Sequence, residues 1–261
     1  YGRYDFAIFA ETASSRLNNF KYFLDNAFAH KILLEKPLSA NPSEFEVFIE
    51  LAEEKGVEDC IQVNLVRRLW DHITIINEYC KNEDDFVMTI NGGAIGLGCN
   101  GIHYLDNFIF FSGNEMPVVK WVQLSKNLVK SGRGKQFYDY GGNFVIETSK
   151  GTLMASITAN SSSNIIMTLK GKHFMIVVDY NNFSWKILRR KDNVDLPLYR
   201  YGAEYENVKN GKFELPKADF LTEQWTKGAV ELPSLKKSLL SHKIIKNILT
   251  AGGIKPPYNF T

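Results

Sequence analysis

Cysteine is scarce in this 261-residue chain, with only Cys60, Cys80 and Cys99 at uneven spacing. That excludes a disulfide-stapled scaffold and a cysteine-based zinc site, and it points to a reducing compartment, read here as the cytoplasm. Charge of one sign is scarce too. Lysine and arginine number 31 against 29 aspartates and glutamates, a formal net charge of +2 that gives no bias towards nucleic acid or a membrane surface. The short basic runs Arg189-Arg190-Lys191 and Lys236-Lys237 read as solvated faces. No apolar stretch reaches transmembrane length, no segment reads as a signal peptide, and no internal repeat or low-complexity tract is present. Hydrophobic residues are plentiful at 44%, enough for a sizeable core and two small domains.

The opening alternates strand and helix patterns. Tyr4 to Ala10 is a short apolar run suited to a buried parallel strand. Leu17, Phe20, Leu24 and Ala27 then recur at helical spacing, and Ile32-Leu33-Leu34 forms the next strand. A second helix carries clear punctuation: Asn41 as cap, Pro42 at the first helical position, Glu44 completing the N-terminal pattern, and Gly56 at the end. Phe45, Phe48, Ile49 and Ala52 supply its buried face. Ile61, Val63 and Leu65 alternate with Gln62 and Asn64 and lead into Arg67-Arg68-Leu69-Trp70. Such alternation implies a parallel, doubly wound sheet.

The segment Leu34-Glu35-Lys36-Pro37-Leu38-Ser39 ends a strand on a charged pair closed by proline. In open α/β sheets ligands bind beyond the carboxyl ends of the strands, where Lys36 would project. The plain alternative is a solvated turn. Further on, Gly96-Leu97-Gly98-Cys99-Asn100-Gly101 matches GxGxxG after the strand-like Phe86 to Ile90. A dinucleotide loop also needs an acidic residue about 20 positions later to hold ribose, and Val118 to Leu124 offers none. The glycines read instead as places where backbone approaches a substrate. Cys99, His103 and Asp106 then fall at i, i+4 and i+7 of the following helix, on one face. His103 titrates nearest neutrality and suits proton transfer; its alternative is a core histidine satisfied by Asp106 or by backbone.

In order, AIFAETASS, LLEKPLS, QVNLVRRLW and GGAIGLGCNGIHYLDNFIFFSG resemble the Gfo/Idh/MocA family of NAD(P)-dependent sugar oxidoreductases, over most of the chain. The resemblance implies α/β plus α+β architecture: the C-terminal part of a Rossmann-like parallel sheet over 1–66, then a domain with an open, mainly antiparallel β-sheet over 67–261. The family's phosphate-binding GxGxxG turn precedes EKP and is not in this chain. At ~30 residues per βαβ unit, roughly two units of the nucleotide-binding half are expected before Tyr1.

The resemblance also implies roles. NAD or NADP is the cofactor, with Ala10, Glu35, Lys36, Pro37 and Arg67 at its site and no metal. Lys36, Arg68, Asn100, His103 and Tyr138 are assigned to a sugar or sugar-nucleotide substrate, and Lys36, His103 and Cys99 form the catalytic set. Lys36 would stabilise an alkoxide during hydride transfer, oriented by Glu35. Cys99 stands where many members carry aspartate, and a neutral thiol cannot hold a sugar or polarise imidazole as a carboxylate does. Catalysis then rests on Lys36 and His103, or the chain is a non-catalytic sugar-binding or assembly module. Arg16 replaces the histidine often found after the first strand here. Arg67 and Arg68 suit bidentate phosphate binding, or form a solvated pair.

After residue 115 the pattern changes to alternation over 117–125, 142–148, 152–159, 164–170, 173–180 and 182–190, joined by turn sequences, which predicts an antiparallel sheet. Phe174, Ile176 and Val178 face one side, Met175 and Val177 the other, so both faces look apolar and one suits a second subunit. Ser131 to Tyr140 is polar and glycine-rich, a substrate loop or an ordinary one. The closing helix, about Ser234 to Leu249, resembles the family's LPxxxxSLxxH segment, with His242 in a packing role.

Overall fold

The computed structural model describes residues 2–93, 95–130, 134, 137–191, 204–215, 217–255 and 258. The β-α-β opening is as the periodicity predicts. Strand β1 (Gly2–Phe9), helix α1 (Ala13–Asn26), strand β2 (Ala27–Leu34), helix α2 (Phe45–Lys55) and strand β3 (Ile61–Val63) make a parallel sheet of order β1-β2-β3. Two expectations need correction. Ala27, placed on the helix face by spacing, is the first residue of β2. β1 is an edge strand and not a buried one: Tyr4, Phe6 and Ile8 are 55%, 41% and 48% exposed, because no described helix covers that side of it fully.

The punctuation around α2 holds in detail. The Asn41 side chain accepts from the Ser43 amide at 3.1 Å, and Pro42–Glu44 winds a 3-10 turn into the helix. Gly56 ends it at φ +64°, a left-handed conformation that glycine adopts without penalty. Phe20, Phe48, Ile32, Leu34 and Val63 pack between these helices and the sheet.

The second sheet has eight strands in the order β13-β12-β11-β10-β4-β9-β8-β5. These are β4 (Phe86–Gly92), β5 (Val118–Leu124), β8 (Gly142–Thr148), β9 (Gly151–Ile157), β10 (Ile166–Lys170), β11 (Phe174–Asp179), β12 (Ser184–Arg190) and β13 (Tyr205–Lys212). Only β4 and β9 run parallel; every other neighbour is antiparallel. A small ribbon, β6 (Val129–Lys130) with β7 (Tyr138–Asp139), flanks the polar loop, of which residues 131–133, 135 and 136 lie outside the described residues. β13 was not legible in the sequence. Its residues are polar and exposed, and pairing with β12 is what orders it.

Helices α3 (Asp71–Lys81), α4 (Ile102–Phe111) and α6 (Leu235–Ala251) cover one face of this sheet. Phe144, Ile146, Leu153, Met167, Leu169, Ile176 and Val178 point into that core, as the alternation requires. α4 is buried almost all round and sits at the centre. α6 touches both sheets' layers, meeting α2 on one side and α4 and β5 on the other. Helix α5 (Ala218–Thr226) lies over the opposite face of the parallel sheet, where the Trp225 indole donates to Gln62 Oε1 at 2.9 Å.

Candidate active site

The strand-end loop is built by backbone that has nowhere else to bond. The Glu35 amide donates to Phe9 O at 3.1 Å and the Asn64 amide to Leu34 O at 2.9 Å, which carries the parallel ladder just past Leu34. Beyond this the chain turns through a cis Lys36-Pro37 peptide. Arg16, buried on α1, donates to the carbonyls of Glu35 (2.8 Å), Pro37 and Glu11. His242 on α6 accepts the Leu38 amide through Nε2 at 3.1 Å, while its Nδ1 meets Ser238 O at 2.8 Å. Burial pushes the His242 pKa down to about 4, which keeps Nε2 an acceptor. Neither clamp was read as such from the sequence: Arg16 and His242 act on backbone far along the chain, so no local pattern reveals them.

Lys36 is half-buried, and its ammonium donates to the Cys99 carbonyl. The Glu35 carboxylate accepts from the Asn64 side chain and, at 3.3 Å, from the Lys36 backbone amide. Glu35 thus holds the loop's backbone rather than the Lys36 head group.

Cys99 lies in a π-helical turn, Gly96–Gly101, that runs directly into α4. A π turn holds more residues than an α turn, so the angular offset between Cys99 and His103 departs from that of a regular α-helix. What Cys99 presents to Lys36 is its carbonyl, not its thiol. Asn100 follows it, half-exposed. The amides of Gly98 and Cys99 donate to the carboxylate of Asp139, at 2.9 and 2.7 Å. The GxGxxG turn therefore spends these donors on a carboxylate of its own chain.

His103 is buried on α4, and its Nδ1 has no hydrogen-bond partner among the described residues. Burial first, then the charges of Lys36 and Arg67, push its pKa well below the usual value, so the imidazole is neutral. Asp106 does not satisfy it. That carboxylate is held bidentately by Arg68 at 2.6 and 2.8 Å, with the Ser241 hydroxyl at 3.1 Å. Arg68, expected at the substrate, has its remaining amine on Asn114 at 2.9 Å and its plane on Phe110. Arg68 thus anchors α4, since a buried carboxylate demands a bidentate partner.

Arg67 is not half of a solvated pair. Its guanidinium stacks on Tyr104 (4.6 Å), Trp70 (5.1 Å) and Tyr180 (5.8 Å), and its charge reaches His103. It stands with the imidazole, not along the strand-end cavity expected for a cofactor residue. Tyr138 meets Tyr140 edge to face at 5.7 Å, and a hydrogen bond between the two, together with burial, raises the Tyr140 phenol.

At the carboxyl ends of β1 to β3, between the sheet and α5, lies a cavity of about 300 Å³, lined by Ile8, Ala10, Leu33, Glu35, Asn64 and Trp225 among others. It brings the expected cofactor residues Ala10 and Glu35 to one crevice. Among the described residues no three His, Cys, Asp or Glu side chains gather as a metal site, and no helix is long and apolar enough to cross a membrane.

Solved structures with this architecture exist at low sequence identity. GnnA, a UDP-N-acetylglucosamine 3-dehydrogenase from Acidithiobacillus ferrooxidans, matches over 95% of this chain and 78% of its own, with TM-score 0.64 and 14% identity. The chain shares its fold. An oxidoreductase from Agrobacterium radiobacter in complex with NAD+, L-tartaric acid and magnesium matches over 95% and 78%, with TM-score 0.64 and 10% identity. The transcriptional regulator Gal80p from Kluyveromyces lactis matches over 95% and 72%, with TM-score 0.69 and 11% identity. No protein-family model and no curated protein matches the sequence.

Proposed function

We propose that this chain belongs to an NAD(P)-dependent oxidoreductase of the Gfo/Idh/MocA type, moving hydride between a nicotinamide cofactor and a sugar or sugar-nucleotide hydroxyl or ketone. The observation that carries this reading is the Lys36 ammonium seated on the Cys99 carbonyl at the turn leading into α4, near enough to the buried, neutral His103 for its charge to lower that imidazole's pKa. The shared fold of dehydrogenase structures supports it, and so does the crevice beside Ala10 and Glu35, whose position fits a nicotinamide. The bound nicotinamide supplies the hydride acceptor. The chain supplies the rest. As the substrate C–H gives up its hydride, the O–H proton passes to the neutral His103 imidazole and the Lys36 ammonium stabilises the oxygen's developing charge. Arg67, Asn100 and Tyr138 are assigned to holding the substrate.

His103→Ala in the intact protein is expected to abolish turnover while moving stability by no more than about 2 kcal/mol, read by steady-state rates and urea unfolding. Retained turnover would refute the assignment. A second reading, a non-catalytic sugar-binding or assembly module, is favoured by Cys99 at the place of an acid and by the likeness to Gal80p. Absence of saturable NADH binding by fluorescence would select it.

We further assign the open face of the eight-stranded sheet to a second copy of the chain. Trp121, Met154, Ile166 and Met175 are 40% exposed or more on the side away from the helices. A monomeric sedimentation mass at micromolar concentration would count against it. Free thiols at Cys60, Cys80 and Cys99 support a cytoplasmic setting.

A further inference from the structure

Asp139 ends β7. It is buried, yet its carboxylate accepts three backbone N–H groups: Gly98 at 2.9 Å and Tyr140 at 2.7 Å on Oδ1, and Cys99 at 2.7 Å on Oδ2. The Leu97 amide adds a bond to Tyr140 O at 2.8 Å, so the turn is tied to this segment at successive residues. Gly96 sits at φ +67°, and a Cβ there would run into the Asp139 carboxylate. The π turn is therefore wrapped around the acid. On its other side, the same turn residue, Cys99, gives its carbonyl to the Lys36 ammonium.

We infer that Asp139 is a positioning residue for Lys36: by gripping the Gly98 and Cys99 amides it fixes the π turn so that the Cys99 carbonyl holds the ammonium at the strand ends. Two features make this more than fold stability. The carboxylate and the ammonium bond to one residue from opposite sides, so loss of the first loosens the seat of the second. Their charges also interact directly, with Lys36 among the groups favouring ionised Asp139. A carboxylate so enclosed restores negative charge beside a turn whose own side chain, Cys99, lacks it. Its consequence for hydride transfer rests on the functional reading above; the grip on Lys36 does not.

The test reads Lys36 itself. Lysines of the intact protein are reductively methylated with 13C-formaldehyde, the Lys36 resonance is assigned by its loss in Lys36→Arg, and unfolding in urea is followed in parallel. In the parent and in Gly56→Ala, which is destabilised at the far end of α2, Lys36 is expected to keep a signal distinct from the exposed lysines. In Asp139→Asn, which keeps the volume but turns an amide donor towards backbone donors, that signal is expected to merge with theirs. If Asp139→Asn fails to fold, Gly96→Ala, which presses on the same carboxylate, replaces it with the same expectation. An unchanged Lys36 signal in a folded variant overturns the inference. In a turning-over parent, kcat in Asp139→Asn is expected to fall about a hundredfold with NADH affinity retained. A parent that binds no NADH refutes the functional reading, and the Lys36 signal still decides this one.

Discussion

At the scale of single residues, the site is assembled by charges placed where water is scarce. Arg68 and Asp106 are 8% and 1% exposed, and each is costly without the other. Burial pushes the Asp106 carboxyl up while the Arg68 guanidinium and Ser241 pull it down. Asp106→Ala leaves a buried guanidinium unpaired, so a loss of about 3–5 kcal/mol is expected by urea unfolding. A loss within the range of an exposed pair, under about 1 kcal/mol, would show that water reaches Arg68. His103 behaves differently. Burial first, and then the charges of Lys36 and Arg67, hold it neutral, the state a proton acceptor needs.

At the scale of elements, the glycine-rich turn before α4 decides what the Lys36 ammonium bonds to. Gly56 and Gly96 both have left-handed backbone, φ +64° and +67°, but different surroundings. Open space lies around Gly56, so Gly56→Ala should cost only the backbone strain, about 1–2 kcal/mol. Gly96→Ala adds a collision with Asp139 and should cost clearly more, with the difference measuring the packing of the turn on that carboxylate. Equal losses in urea unfolding would mean that the turn yields freely. The strand-end loop is held by Arg16 from α1, Asn64 after β3 and His242 from α6, three elements separated along the chain.

At the scale of the whole molecule, buried imidazoles set the response to acid. His72 and His242 are both pushed down to about 4 by burial, and burial lowers His103 well below its usual value in the same sense. Each folded-state pKa lies below the unfolded value of 6.5, so the stability it contributes is present above pH 6.5 and lost as pH falls towards about 4. The slope is about 1.4 kcal/mol per pH unit for each group. Asp139 works the other way. Its folded pKa, raised to about 6 by burial, exceeds its unfolded 3.8, so below pH 6 it offsets one histidine. Urea midpoints are therefore expected to fall steadily from about pH 6.5 to about pH 4, the window set by the lowered histidines. A flat profile across that window would show the imidazoles to be hydrated.

The sequence by itself determined the β-α-β opening, α2, the closing helix and the alternation of the strands before β13. Periods of two and near four, the Asn41-Pro42 start, the Gly56 stop and the EKP strand end are written in neighbouring residues, and local hydrogen bonding and hydrophobic burial act at that range. It also brought Lys36 and His103 forward as candidates, by residue type and position. Tertiary structure decided what those residues meet. Asp139 lies about 40 residues from the Gly98 and Cys99 amides it binds, Arg16 about 20 from the Glu35 and Pro37 carbonyls it caps, and His242 about 200 from the Leu38 amide. Arg67 and Arg68, adjacent and identical in type, took opposite fates, one stacked beside the imidazole and one locked to Asp106. Only the packed core distinguishes them, because the cost of burying a charge depends on what else the fold has buried beside it.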